Sequence, residues 1–188
     1  MNLPNKLTVL RILLVPVFAI FAQIALRGGR AAAYLLAGAV FAAASITDAM
    51  DGRIARSRGM VTDFGKFADP LADKILTTAA FIYMLLEGVC APAVLIVVLF
   101  REFAVSGLRM IASGSGDGRV IAASMWGKVK TVVQMVSIVF FYFGRAFFPT
   151  APAVDTISAV LCWLCGALTA VSGVKYFVDN RQFVAQMK

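Results

Sequence analysis

Five of the ten acidic residues of this 188-residue chain lie in one short stretch, and their spacing suits metal binding. The stretch contains Asp48, Asp51, Asp63, Asp69 and Asp73. The first two are three residues apart and the last two are four residues apart, so each pair shares one face of a helix. Four convergent carboxylates repel one another unless cations lie between them, and Mg²⁺ and Mn²⁺ prefer oxygen ligands. Two such ions can hold both oxygens of a phosphoryl displacement, which is the chemistry that this pattern predicts.

A simpler explanation is that these aspartates are solvated helix ends paired with basic neighbours such as Arg53 and Lys74. It would be the better explanation for one aspartate, but four at matched spacing favour the metal site. Gly52 and Ala55 are small enough for a nucleobase to lie against the helix, although small residues also serve close helix packing in membranes. Arg56, one turn further along, can bind a phosphate through two hydrogen bonds.

The composition indicates a membrane protein. Hydrophobic residues make up 61% of the chain and charged residues 15%, whereas soluble domains have about 45–50% and about 25%. Lipid must therefore solvate much of the surface. The net charge of +8 is explained mostly by basic residues kept on the cytoplasmic side, and anionic ligands are a further reason for it. Nucleic acid is excluded as a partner, because no basic run is interleaved with aromatic residues. With no histidine present, a general base must be a carboxylate, lysine, tyrosine or cysteine.

Six apolar segments are long enough to cross a membrane as helices of about 20 residues. They are residues 8–26, 31–55, 67–87, 91–112, 125–148 and 154–178. Residues 2–8, at the start of the first of them, resemble a short interfacial segment in which Pro4 suits a helix start. Asn5 and, just after this segment, Arg11 could border a polar site. The predicted fold is thus an all-α integral membrane protein with six transmembrane helices in one domain, residues 1–188.

The distribution of lysine and arginine predicts the orientation of these helices. If the N-terminus is cytoplasmic, the outer connections contain only Arg27, Arg30 and Arg145, and the other fifteen of the eighteen basic residues lie on the inner side. The positive-inside rule therefore places both termini in the cytoplasm, together with the aspartate pairs.

Residues 48–73 match a family signature at every fixed position. The signature is D-x-x-D-G-x-x-A-R-x8-G-x-x-x-D-x-x-x-D, and by it the chain resembles the CDP-alcohol phosphotransferases. The resemblance implies six transmembrane helices, a site facing the cytoplasm and two divalent metal ions, Mg²⁺ or Mn²⁺. It also implies transfer of a phosphatidyl group from a CDP-linked lipid to an alcohol, with release of CMP. The implied residue roles are metal binding by Asp48, Asp51, Asp69 and Asp73, catalytic base for Asp73, and binding of cytidine diphosphate by Gly52, Ala55 and Arg56.

Three further segments resemble the bacterial phosphatidylglycerophosphate synthases within this family. They are residues 2–12, 101–109 and 126–131. This similarity implies a bacterial cytoplasmic membrane protein, a homodimer in the family's manner, that takes CDP-diacylglycerol as donor and glycerol 3-phosphate as acceptor. The predicted acceptor-phosphate residues are Arg109 and Lys128 first, then Arg101 and Lys130. Each could instead extend its charge to lipid headgroups, and Arg101 could form an ion pair with Glu102.

Other acceptors and other classes of protein remain possible at this stage. An inositol phosphate would use the same cations, whereas serine would not need them, and phosphatidylglycerol is a further family acceptor. A membrane prenyltransferase also binds diphosphates through aspartate-rich helices, but it usually has a second such cluster, and residues 103–188 contain only scattered aspartates. An ion transporter is disfavoured, because the acids lie at helix ends and no inverted repeat is visible.

Overall fold

The computed structural model describes residues 3–58, 63–114 and 125–181, and side chains within these ranges apart from 3–7, 48–58, 63–71, 73 and 110–114. Over these ranges the backbone forms six α-helices and no strand. They are α1 (Leu3–Gly28), α2 (Ala31–Arg58), α3 (Asp63–Leu86), α4 (Pro92–Gly114), α5 (Met125–Phe147) and α6 (Pro152–Asp179). The prediction of an all-α fold is therefore confirmed for the described residues.

Glycine and proline set the short connections between successive helices. Gly29 and Gly88 have φ angles of 56° and 78°, in the left-handed region where a side chain would be strained. They follow α1 and α3 directly and let the chain reverse within a few residues. Pro92 and Pro152 then begin α4 and α6. Proline lacks an N–H, and at the first position of a helix that group would have no hydrogen-bond partner within the helix. At the other end of the chain, α1 begins at Leu3, so the predicted interfacial segment is continuous with the first long helix.

Three helices in the described part of the chain are long and apolar enough to cross a membrane. They span Thr8–Gly28, Met125–Phe147 and Pro152–Asp179. Within the described side chains, α2 and α3 contribute the shorter apolar segments Ala31–Thr47 and Lys74–Leu86. The fourth helix contains Arg101, Glu102 and Arg109, which interrupt its apolar sequence.

The helices pack closely through small residues. α1 packs against α2 and α3, α5 against α2 and α6, and α4 against α6. A Cβ atom on Gly38 would lie 3.1 Å from Cβ of Tyr142, and one on Gly166 would lie 3.3 Å from a methyl carbon of Val94. Such contacts bring helix backbones together, as is usual in membrane bundles.

An aromatic cluster forms the centre of the bundle. The ring centroids of Phe18 and Tyr142 are 5.3 Å apart, and those of Phe141 and Tyr142 are 5.1 Å apart, both in edge-to-face geometry. All three side chains are at most 1% exposed. This cluster joins α1 to α5, and through Phe41 it also contacts α2.

Large apolar side chains also cover the outside of the bundle. Phe100, Val174, Ile96, Val160 and Val132 are each more than 60% exposed. In water such a surface would associate, so these side chains are suited to contact with lipid.

Successive helices alternate in direction, so the bundle has two ends. We call the end at which α2 finishes and α3 starts the signature end, because residues 48–58 and 63–73 lie there. At the opposite end, the Tyr34 hydroxyl donates a 2.6 Å hydrogen bond to Glu87, and Arg145 forms a 2.9 Å ion pair with Asp155.

Candidate active site

The backbone places both aspartate pairs beside the connection between α2 and α3. Asp48 and Asp51 lie in the last turns of α2, and Asp69 and Asp73 lie in the first part of α3. The helical backbone at these positions agrees with the prediction that each pair shares a helix face. The aspartate side chains lie outside the described residues, so the convergence of the four carboxylates stays a prediction.

The residues predicted to bind cytidine diphosphate also lie on the last turns of α2. Gly52, Ala55 and Arg56 follow Asp51 on the same continuous helix, which ends at Arg58. Their side-chain environment likewise falls outside the described residues, and their binding role stays a prediction.

Lys74, the residue after Asp73, links α3 to α4 through hydrogen bonds of its side chain. The Lys74 ammonium group donates hydrogen bonds to the hydroxyl of Ser106 and, at 3.4 Å, to the main-chain oxygen of Glu102. Ala72, on the other side of Asp73, is fully buried. The backbone that carries Asp73 is therefore held by packing on one side and by hydrogen bonds on the other.

Glu102 is the acidic centre of a cluster of basic side chains at the signature end. Its carboxylate pairs with the ammonium group of Lys130 on α5 and lies 3.4 Å from a guanidinium nitrogen of Arg101. Lys130 is only 1% exposed. A buried ammonium group is costly unless it is paired, so Glu102 is what allows Lys130 to lie inside the bundle.

The structure separates the four predicted acceptor-phosphate residues into two environments. Arg101 and Lys130 meet at Glu102, as the predicted Arg101–Glu102 ion pair requires. Arg109 and Lys128 are exposed, and the Arg109 guanidinium lies over the ring of Tyr176 on α6, 5.7 Å from its centroid. Two of the four cations are thus paired at one carboxylate, and the other two are exposed.

The start of α1 adds two buried polar side chains at the same end. Thr8 and Arg11 are each 1% exposed, on a helix that is mostly apolar. α1 packs against α2 and α3, the two helices that carry the aspartates. Arg11 is therefore a further cation at the signature end, as the sequence allowed.

Sequence reasoning did not find the roles of Lys74, Lys130 and Tyr176. The sequence did contain a signal for Lys74 and Lys130, because an acid such as Glu102 in an apolar helix requires basic side chains on neighbouring helices. No signal existed for Tyr176, since an aromatic residue in an apolar helix is ordinarily a packing residue.

The donor chemistry of the signature end fits divalent metal ions. Four aspartates on helical backbone, spaced by three and four residues, offer the oxygen ligands that Mg²⁺ and Mn²⁺ prefer. Among the side chains that the structure describes, no other group of three or more acidic or cysteine residues is arranged to hold a metal. By their residue types and spacing, the aspartate pairs are the candidate metal ligands of this chain.

Comparison with known proteins identifies the family. Residues 1–171 match the family model described as CDP-alcohol phosphatidyltransferase. The chain is 40% identical to the CDP-diacylglycerol--glycerol-3-phosphate 3-phosphatidyltransferase of Bacillus subtilis over 95% of both chains. It is 40% identical to a probable phosphatidylglycerophosphate synthase of Mycobacterium tuberculosis, over 93% of this chain and 79% of the relative. A Rickettsia felis protein with the same name as the Bacillus relative is 35% identical over 97% of both chains. These matches confirm the resemblance drawn from the signature, and this chain belongs to the CDP-alcohol phosphatidyltransferase family.

Proposed function

We propose that this protein transfers the phosphatidyl group of CDP-diacylglycerol to glycerol 3-phosphate, which gives phosphatidylglycerophosphate and CMP. The observation that carries the proposal is the similarity, over nearly the whole chain, to relatives named for this reaction. Residues 1–188 then act as one catalytic unit.

In the proposed reaction Asp73 accepts the proton of the acceptor hydroxyl. The acceptor oxygen forms a bond to the β-phosphorus of the lipid donor, the bond from that phosphorus to the CMP oxygen breaks, and CMP leaves with the electron pair. Gly52, Ala55 and Arg56 hold the cytidine diphosphate part of the donor. The fixed position of the α3 backbone supports the role of Asp73, because a base must stay within hydrogen-bonding reach of its proton.

Two divalent ions, Mg²⁺ or Mn²⁺, would be held by Asp48, Asp51, Asp69 and Asp73. When bound, they supply positive charge that offsets the negative charge of the diphosphate and of the departing CMP. The four carboxylates would otherwise repel one another at this end of the bundle.

The basic side chains of α4 and α5 suit an acceptor that carries a phosphate. Arg101 and Lys130 share the single carboxylate of Glu102, so these three side chains keep one net positive charge. Arg109, further along α4 than Arg101, and Lys128, just before Lys130 on α5, add two exposed cations. A phosphate dianion is attracted to these basic side chains, whereas serine, which has no net charge, gains little from them.

We also propose that all six helices cross the bacterial cytoplasmic membrane, with both termini and the signature end in the cytoplasm. The support is the concentration of fifteen of the eighteen basic residues on that side. A homodimer is the assembly proposed from the family.

The test is CMP release by the purified protein with CDP-diacylglycerol and Mg²⁺, comparing glycerol 3-phosphate, inositol 1-phosphate and serine. We expect release with glycerol 3-phosphate alone, loss of release with excess EDTA, and recovery with Mg²⁺ or Mn²⁺. Asp73→Asn should abolish release while the protein stays folded. Release that depends on another acceptor would refute the acceptor assignment, and full activity of Asp73→Asn would refute the base.

A further inference from the structure

Arg109 lies against a buried aromatic ring of a different helix. Its guanidinium carbon is 5.7 Å from the centroid of the Tyr176 ring, within the distance at which a cation is attracted to an aromatic face. Tyr176 is 2% exposed, whereas Arg109 is exposed. The guanidinium of an exposed arginine is therefore supported by a buried ring.

The Tyr176 ring is held firmly where it supports the arginine. It packs with Val105 and Leu108 of α4, and Phe177 packs against the same cluster. Its hydroxyl has no hydrogen-bond partner among the residues that the structure describes. A buried hydroxyl without a partner is unfavourable, so in this structure the contribution of Tyr176 comes from its ring.

The same face of α6 also accommodates the second arginine of α4. A Cβ atom on Gly173 would lie 3.2 Å from Cγ of Arg101, so the missing side chain leaves room for the arginine stem. Gly173 is three residues before Tyr176, and residues at this spacing share one helix face. Gly173 and Tyr176 lie beyond residue 171, where the match to the family model ends.

We propose that Tyr176 is a positioning residue that fixes the Arg109 guanidinium for recognition of a phosphate-bearing acceptor. This inference rests on the proposed function, in which Arg109 binds the acceptor phosphate. An arginine that is already held in place loses less conformational freedom when the phosphate binds, so the acceptor binds more tightly. Because Tyr176 acts through a residue proposed to bind the acceptor, its removal should weaken acceptor binding selectively.

The expected effect of losing the ring is a change in one kinetic constant. Tyr176→Leu should raise the KM for glycerol 3-phosphate about twofold to fivefold, the range that an exposed cation–ring contact supplies. The KM for CDP-diacylglycerol and kcat should stay within about twofold of the wild type, because a uniform binding contact acts on KM alone. Tyr176→Phe keeps the ring and should behave as the wild type. Tyr176→Met is a second variant without the ring, for use if the leucine variant does not fold.

A double-mutant cycle tests whether Tyr176 acts through Arg109. Arg109→Gln removes the cation at an exposed position, and adding Tyr176→Leu to it should raise the KM for glycerol 3-phosphate no further. Independent increases would overturn the inference, as would equal increases in the KM for both substrates or an effect of Tyr176→Phe as large as that of Tyr176→Leu. If the wild type releases no CMP with glycerol 3-phosphate, the proposed function fails. If the wild type is active and Tyr176→Leu leaves its KM unchanged, only the present inference fails.

Discussion

Replacing Glu102 with glutamine should destabilise the protein strongly, because it leaves Lys130 buried without its counter-charge. Lys130 is 1% exposed and its ammonium group pairs with Glu102. Removing one partner of a buried ion pair costs about 3–5 kcal/mol. The Glu102 side chain keeps 20% exposure and a glutamine oxygen can still accept one hydrogen bond, so the lower limit applies. For a chain of this length, about 3 kcal/mol corresponds to a melting temperature lower by about 6–12 °C.

The matched control removes both charges together. In Glu102→Gln/Lys130→Met the buried ammonium group is gone and only Arg101, whose side chain is 11% exposed, loses its partner, so part of the lost stability should return. Because Lys130 is also a proposed acceptor-phosphate residue, the double variant should recover stability without recovering full activity. This separation distinguishes the structural role of the ion pair from its role in the reaction.

The cysteines provide the assay. Cys90, Cys162 and Cys165 are free and buried, so a thiol-reactive dye labels them only when the bundle opens. Labelling is followed during heating for the wild type, the single variant and the double variant in the same detergent. If the single and double variants lose the same stability, the loss does not come from the unpaired charge of Lys130. If neither variant differs from the wild type, the reasoning about a buried ion pair is refuted.

Two further substitutions test packing and charge at the opposite end of the bundle, with the same melting assay. Gly144→Ala places a methyl group 2.8 Å from a methyl carbon of Val154 and should lower the stability by about 1–3 kcal/mol. Adding Val154→Ala to the same chain should restore part of this loss. An unchanged melting temperature of Gly144→Ala would contradict the close contact. Asp155→Asn breaks an ion pair with Arg145 whose side chains are 42% and 20% exposed, so the cost should stay below about 1 kcal/mol. A loss as large as that expected for Glu102→Gln would show that exposure does not govern the strength of these pairs.

Much of the helical architecture could be predicted from hydropathy and from the residues that end helices. The glycines after α1 and α3 and the prolines that start α4 and α6 lie at the predicted boundaries. The pattern was less accurate at the exact helix ends. The segment predicted as residues 31–55 already includes the first part of the polar signature, and α2 continues three residues further, to Arg58, because a helix end needs only satisfied backbone groups and not an apolar surface.

The candidate site was predictable where its chemistry depends on spacing along one helix. The aspartate pairs are of this kind, and their backbone positions agree with the prediction. Contacts between helices are different, because helix packing decides which residues meet. The sequence indicated that Glu102 needs a cation, but it could not select Lys130, which is 28 residues away, over other basic residues. The support of Arg109 by Tyr176, on a helix distant in sequence, was likewise invisible.

The apolar exterior of the bundle has a consequence for what stability means in this protein. Side chains such as Phe100, Ile96 and Val174 are mostly exposed and need an amphiphile around them. The amphiphile binds the folded and the unfolded chain differently, so it acts as a ligand whose binding is linked to folding. Changing the lipid or detergent therefore moves the folding equilibrium even when every contact inside the protein is unchanged. The stability of this protein is a property of the chain and its surrounding amphiphile together.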